Sequence, residues 1–225
     1  MPMLPDEMKD QVRDTLADLQ RPVKLVVFTQ ELECPYCLQN RELLEEVAAL
    51  SDLVTAEVYD FVNDKAQVEA YGIDKIPAVA IVGDEDYGIR FYGIPAGYEF
   101  TTLVHTIRML GVAGSQLEEQ DRTALASLAE PVHLQVFVTP TCPYCTTAVA
   151  LAFEMAYVSP MVRADGIESS EFPHLTVKYH IAGVPRTIIN ETVDLEGAAP
   201  AQMLLDKIEE ALATPEPSEE QADDA

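Results

Sequence analysis

Residues 31–43 read ELECPYCLQNREL, and residues 139–151 read TPTCPYCTTAVAL. Each stretch holds Cys-Pro-Tyr-Cys, at Cys34 and Cys37 and again at Cys142 and Cys145, and these are the chain's four cysteines. Two residues between a pair of cysteines let the second sulfur reach the first. Each motif can therefore pass between dithiol and disulfide, one thiolate attacking and the other resolving.

The motif is one part of a longer repeat. Cys34 and Cys142 lie 108 residues apart. The same interval separates Tyr71 from Tyr179, Ile73 from Ile181 and Pro77 from Pro185, so a proline follows each second cysteine at the same distance. Upstream, RPVKLVVFT and EPVHLQVFV match at an offset of 109, because Gln30 to Glu33 is one residue longer than Thr139 to Thr141. One supersecondary unit has been duplicated.

Both copies carry the same order of patterns. A helical spacing comes first, Met8, Val12, Leu16 and Leu19, then Leu117, Leu125 and Leu128 in the second copy. A β-branched apolar run follows, Val23 to Phe28 and Val132 to Val138, which suits a buried strand. Next come the cysteine pair and a helix with an apolar face, a second strand, a short helix, and two strands opened by the proline. A last helix closes each copy, giving α-β-α-β-α-β-β-α twice. The glycines and serine of GVAGS, residues 111–115, mark the boundary. The expected division is 1–112 and 113–213, with 214–225 an acidic, disordered tail.

Bulk properties narrow the partners. The net charge is −25, from 39 acidic and 14 basic residues, which opposes binding to nucleic acid or to anionic membranes. No apolar run approaches the ~18 residues of a membrane span. The acidic start, MPMLPDEMKDQVRD, does not read as a signal peptide. The expected location is the cytoplasm, where a CxxC is more often catalytic or metal-binding than a structural bridge.

A strand, a CxxC at a helix start and an X-Pro loop 40 residues on resemble the thioredoxin fold. Pro-Tyr between the cysteines is the glutaredoxin-like choice. Two such units, each led by an extra helix, resemble the protein disulfide oxidoreductase family over residues 5 to 213. The resemblance implies an α/β protein of tandem thioredoxin-like folds, each a mixed four-stranded sheet flanked by helices. Cys34 and Cys142 would be the nucleophiles, at the positive end of a helix dipole that favours thiolate. Cys37 and Cys145 would resolve. Pro77 and Pro185 would be cis, with the backbones of Ile76 and Val184 pairing with an extended substrate. No cofactor is expected beyond the redox-active disulfides. Electrons would come from a flavin-dependent, NADPH-using reductase of the thioredoxin-reductase kind, and the substrates would be proteins bearing disulfides or thiols.

Two departures from relatives matter. Thioredoxins carry a buried acid six residues before the first cysteine, where this chain has Phe28 and Val136. Glutathione sites of glutaredoxins use Thr-Val-Pro and Gly-Gly-Cys-Asp, whereas this chain has Lys-Ile-Pro and Gly-Val-Pro and lacks the second segment. Protein disulfides are thus expected in preference to glutathione.

The two sites are expected to differ. Glu31 and Glu33 precede Cys34, while Thr139-Pro140-Thr141 precedes Cys142. Ala78 follows the first loop proline and Arg186 the second. Negative charge disfavours a thiolate and a cation favours it, so Cys142 is expected to be the dominant nucleophile. Three other readings compete. One is the electron-delivering module of a peroxide-reducing system, although in such modules a single unit keeps its cysteines. Another is a redox-sensing binding protein. The last is a four-thiolate zinc site, whose pairs usually lie ~15–20 residues apart. The four histidines match no metal-ligand spacing with the cysteines.

Overall fold

The computed structural model describes residues 3–112 and 114–213. Its first unit comprises α1 (Asp6–Thr15), β1 (Val23–Thr29), α2 (Cys37–Ala48), β2 (Val54–Asp60), α3 (Lys65–Ala70), β3 (Ala78–Val82), β4 (Ile89–Tyr92) and α4 (Tyr98–Val112). The second comprises α5 (Glu119–Ala126), β5 (Val132–Val138), α6 (Cys145–Val158), β6 (Val162–Glu168), α7 (Pro173–Lys178), β7 (Arg186–Ile189), β8 (Val193–Glu196) and α8 (Ala201–Ala213). The tail placed at 214–225 lies outside the described residues.

The order of elements is the one the repeat predicts, with local differences. α1 stops at Thr15, so Leu16 and Leu19 reach the core from the turn beyond it. Met8 is exposed rather than buried. Gly111 does not break the chain. It sits inside α4, where a side chain would overlap Leu19, and its carbonyl accepts the N–H groups of Gln20 and Arg21, each at 3.0 Å. A glycine here allows close approach rather than a turn.

β1 and β5 run through the centre of their units and are mostly buried on both faces, as their largely apolar runs, interrupted by Lys24 and by His133 and Gln135, suit. Each pairs in parallel with the strand after it and antiparallel with the strand opened by the proline. Alternation then sorts the side chains. Leu25 and Val27 join the larger core with residues of α1, α2, α4, α5, α6 and α8. Val26 and Phe28 face the smaller core, against which α3 and α7 pack Val68 and Leu175. Helices therefore cover both faces of the sheet.

The two four-stranded sheets join into one, in the order β2-β1-β3-β4-β6-β5-β7-β8. β4 and β6 run parallel, from Ile89 opposite Ala164 to Tyr92 opposite Ile167. Unit follows unit head to tail, leaving β2 and β8 as outer edges. Such a heterologous contact does not close on itself. β8 is short and presents the exposed acids Asp194 and Glu196, features that blunt an edge against further pairing.

Candidate active sites and the seam between the units

The helices begin at the second cysteine of each motif. Cys34, Pro35 and Tyr36 form a turn in which the Cys37 N–H donates to the Cys34 carbonyl at 3.4 Å; the equivalent bond from Cys145 to Cys142 is 3.3 Å. The proline sits where no intrahelical N–H is needed, one step earlier than the first helical turn. Cys34 and Cys142 are partly exposed, while Cys37 and Cys145 are buried on the inner face of their helices. Each pair forms a disulfide, with Cα atoms 5.4 Å apart in the first unit and 5.5 Å in the second.

Both X-Pro bonds are cis, Ile76–Pro77 and Val184–Pro185. Pro77 and Pro185 open β3 and β7, and their carbonyls accept N–H groups from Gly93 and Gly197, each at 2.8 Å. Cys142 Sγ lies 3.7 Å from the Val184 carbonyl oxygen, so the second loop touches the second cysteine pair. Arg186 does not stand as a free cation near Cys142. Its guanidinium is engaged by Asp194 and by Glu196, the latter at 2.9 Å. Two carboxylates on the neighbouring strand offset the charge that the sequence contrast relied upon.

A larger asymmetry comes from the seam. The Tyr98 N–H donates to the Pro140 carbonyl at 3.0 Å, and a Cβ on Gly97 would overlap that same oxygen. The first unit thus packs against the loop that leads into Cys142. Among the described residues, no main-chain hydrogen bond from the second unit reaches the loop before Cys34. A groove of about 600 Å³ runs on between α4 and α6, lined by Thr102 and His105 on one side and Thr146 and Glu154 on the other.

Buried acids mark this seam. Glu99, in the first turn of α4, is 1% exposed, and neither carboxyl oxygen has a hydrogen-bond partner of good geometry. Burial pushes it up to about 7, against a weaker pull from the Thr102 hydroxyl. Glu171 accepts the Ile94 N–H at 2.8 Å across the seam, and burial pushes it also to about 7, with the Ile94 N–H lowering it and Glu168 raising it. Neither Glu99 nor Glu171 was singled out from the sequence. Their one signal was an acid at the head of an otherwise apolar and threonine-rich helix, EFTTLVHT, and another, three residues beyond the end of β6.

On the opposite face, Asp165 of β6 is fully buried. It binds His133 Nε2 at 2.6 Å and Arg163 Nε at 3.1 Å. Arg163 in turn donates to the Gly72 carbonyl and the Tyr92 hydroxyl of the first unit, both at 2.9 Å. Against the cost of burial, the hydrogen bond to His133 and the nearby Arg163 guanidinium hold the Asp165 carboxyl below its usual range. Among the described residues, no group of three or more His, Cys, Asp or Glu side chains is placed to hold a metal ion.

The model of the thioredoxin domain matches residues 23–105 and again 132–210. The chain belongs to the thioredoxin-domain family. Its thioredoxin-fold neighbours include a protein disulfide oxidoreductase from Aeropyrum pernix K1, 30% identical with a TM-score of 0.87, covering 92% of this chain and 93% of that one. The N-terminal domain of the alkyl hydroperoxide reductase AhpF from Enterococcus faecalis is 28% identical with a TM-score of 0.84, covering 91% of this chain and 99% of that one. Among curated proteins, the corresponding alkyl hydroperoxide reductase polypeptide of Pseudomonas putida is 25% identical over 207 residues. This chain spans 92% of its own length there and 38% of the relative's. With two thioredoxin units and a CxxC disulfide in each, the chain is a thiol–disulfide oxidoreductase. No helix among the described residues is long and apolar enough to cross a membrane.

Proposed function

We propose that the chain reduces, forms or exchanges disulfides in other proteins through Cys34–Cys37 and Cys142–Cys145. The observation that carries this reading is the same in both units: a partly exposed cysteine is bonded to a buried one at a helix start. Cys34 and Cys142 are the nucleophiles. In the reductive direction, the thiolate attacks one sulfur of a substrate disulfide, forms a mixed disulfide and expels the other sulfur as thiolate. The buried cysteine, once deprotonated, then attacks the first cysteine's sulfur. The internal disulfide closes, the second substrate thiol leaves, and two electrons have passed to the substrate.

The backbones of Ile76 and Val184 are the pairing points for an extended substrate. Ile76 makes no main-chain hydrogen bond among the described residues, which leaves its N–H and C=O for a partner strand. Glu99, buried on the helix whose start meets the loop before Cys142, is our candidate for the acid that Phe28 and Val136 do not supply. It follows Tyr98, which is tied to Pro140, and Thr102 one turn later shares a groove with Thr146 beside Cys145. A carboxyl held near 7 can take the resolving cysteine's proton at neutral pH.

A second reading is favoured by the curated relatives: electrons pass from a flavin-dependent NADPH reductase, through the two pairs, to a peroxiredoxin. Pre-reduced protein mixed anaerobically with an oxidised peroxiredoxin or with a disulfide-bonded protein such as insulin separates the two. Faster reduction of the peroxiredoxin by several orders of magnitude assigns the relay. Comparable rates assign the general activity. Reduction of neither defeats both.

A further inference from the structure

The surroundings of Cys34 differ from those of Cys142 in a way the shared chemistry does not require. Leu32 is 78% exposed, Leu38 64% and Tyr36 42%, all within four residues of Cys34. Val62, 57% exposed, belongs to the same rim, because the Phe61 N–H donates to the Thr29 carbonyl at 2.8 Å and brings its loop beside the start of this one. In the second unit Thr146 replaces Leu38 and Ser170 replaces Val62, and the loop before Cys142, Thr139-Pro140-Thr141, is one residue shorter and holds no leucine. Tyr144 alone is kept.

The rim is also charged. Glu31 and Glu33 are exposed on either side of Leu32, and neither enters an ion pair or side-chain hydrogen bond among the described residues. Arg41, on the following helix, is bound to Glu45 at 2.8 Å and so does not neutralise them. The loop is held in shape: Gln30 Nε2 donates to the Leu32 carbonyl at 2.5 Å, and Glu33 sits at φ 58°, a left-handed conformation that a non-glycine residue adopts at a cost. A clustered apolar rim interleaved with unpaired acids marks a surface for a partner that is apolar and cationic together.

We infer that the Cys34 rim docks an extended polypeptide carrying apolar side chains and a lysine or arginine next to its disulfide. The inference rests on the oxidoreductase reading above and names the substrate class of its first site. Leu32, Leu38 and Val62 cover the apolar residues, and Glu31 and Glu33 meet the cation. The second site, with Thr146 and Ser170 in place of Leu38 and Val62 and no acid between Thr139 and Thr141, has no such preference. Division of labour then follows from the surfaces: the first site selects among polypeptides by sequence, and the second does not.

The test uses the full chain with Cys142→Ser and Cys145→Ser, pre-reduced and freed of reductant, so that Cys34 and Cys37 are the sole electron source. Single-turnover rates are measured against three peptides bearing the same intramolecular disulfide, flanked by Leu-Lys, Leu-Asp or Gly-Ser, and against glutathione disulfide. The Leu-Lys peptide is expected to react at least about tenfold faster than the Leu-Asp peptide in low salt, the ratio shrinking as salt is raised. Glu31→Gln with Glu33→Gln brings that ratio towards one. Leu32→Thr with Leu38→Thr brings the Leu-Lys to Gly-Ser ratio towards one. Equal rates for the three peptides, or ratios unmoved by both double variants, overturn the docking surface and leave the oxidoreductase reading standing. Failure to reduce any peptide or glutathione disulfide overturns the docking surface and the oxidoreductase reading of the first pair together.

Discussion

The Tyr98 amide donates to the Pro140 carbonyl at 3.0 Å, so the last helix of the first unit starts against the loop that presents Cys142. The duplicated sequence therefore does not give duplicated surroundings. Head-to-tail stacking sets the start of α4 against the loop before Cys142, and no main-chain hydrogen bond from the second unit does the same at Cys34 among the described residues. The seam predicts measurable differences between sites that the motifs alone would make equal.

Gly93 and Gly197 hold matching places after β4 and β8, both at positive φ, 93° and 84°. A Cβ on Gly197 meets nothing within 4 Å, whereas one on Gly93 would lie 2.7 Å from Glu168 Cβ across the seam. Gly197→Ala is expected to cost ~1–2 kcal/mol for backbone conformation alone. Gly93→Ala adds an overpacking penalty of ~1–3 kcal/mol. Urea unfolding of the two variants reads the difference, and equal losses would mean that the seam does not constrain Gly93.

Glu99 and Glu171, both raised to about 7, set a pH dependence of known sign. Between their ordinary value of 4.5 and about 7 the folded protein holds protons that the unfolded chain has released. Their contribution is fully present below 4.5 and is lost as pH rises through 7. The loss is on the order of 2–3 kcal/mol for Glu99 and less for the more exposed Glu171. Glu99→Gln and Glu171→Gln are expected to flatten the decline between about pH 5 and 8, as read by denaturation midpoints at each pH.

Asp165 works in the opposite direction. Its carboxyl, held low by His133 and Arg163, adds stability above the usual aspartate range, and that stability is lost as pH falls through the lowered value. Asp165→Ala leaves Arg163 without its buried partner and is expected to cost ~3–5 kcal/mol. A loss below about 1 kcal/mol in equilibrium unfolding would show that this network is not a stabilising tie between the units.

Glu99 also bears on chemistry. If it takes the Cys145 proton, Glu99→Gln should slow resolution of a mixed disulfide at Cys142 by ~10–100-fold at about pH 7, close to the usual range for general base catalysis. The effect should fade above about pH 8, where thiols ionise unaided. The Cys34–Cys37 pair serves as the internal comparison, and equal slowing there would point to a general structural effect.

Much of this architecture was legible in the sequence because it is local. The runs VKLVVFT and AVAIV have no alternative to being buried strands, and the constant interval from each cysteine pair to its proline fixed the repeat. The joining of β4 to β6 was not legible, because pairing between repeats depends on contacts far apart in sequence and GIRFYG carries no mark of its partner. The buried acids were hidden for the same reason: Glu99 and Glu171 read as surface residues until the other unit is laid against them. Arg186 shows the converse, since its pairing with Asp194 and Glu196 is set by strand register and cancels a contrast drawn from adjacent residues. Leu32 lay in plain view in the longer first loop, yet its exposure depends on the fold.

One chain carries two cysteine pairs, and each is expected to act as its own two-electron couple. An anaerobic redox titration, with thiols scored by alkylation and mass spectrometry for Cys34–Cys37 and Cys142–Cys145 separately, tests it directly. Each pair is expected to titrate reversibly with a two-electron slope, and the two midpoints to differ because the start of α4 packs against the loop of the second pair alone. A pair that stayed reduced across the range, or two pairs that exchanged electrons only as one inseparable unit, would rule out two separate couples.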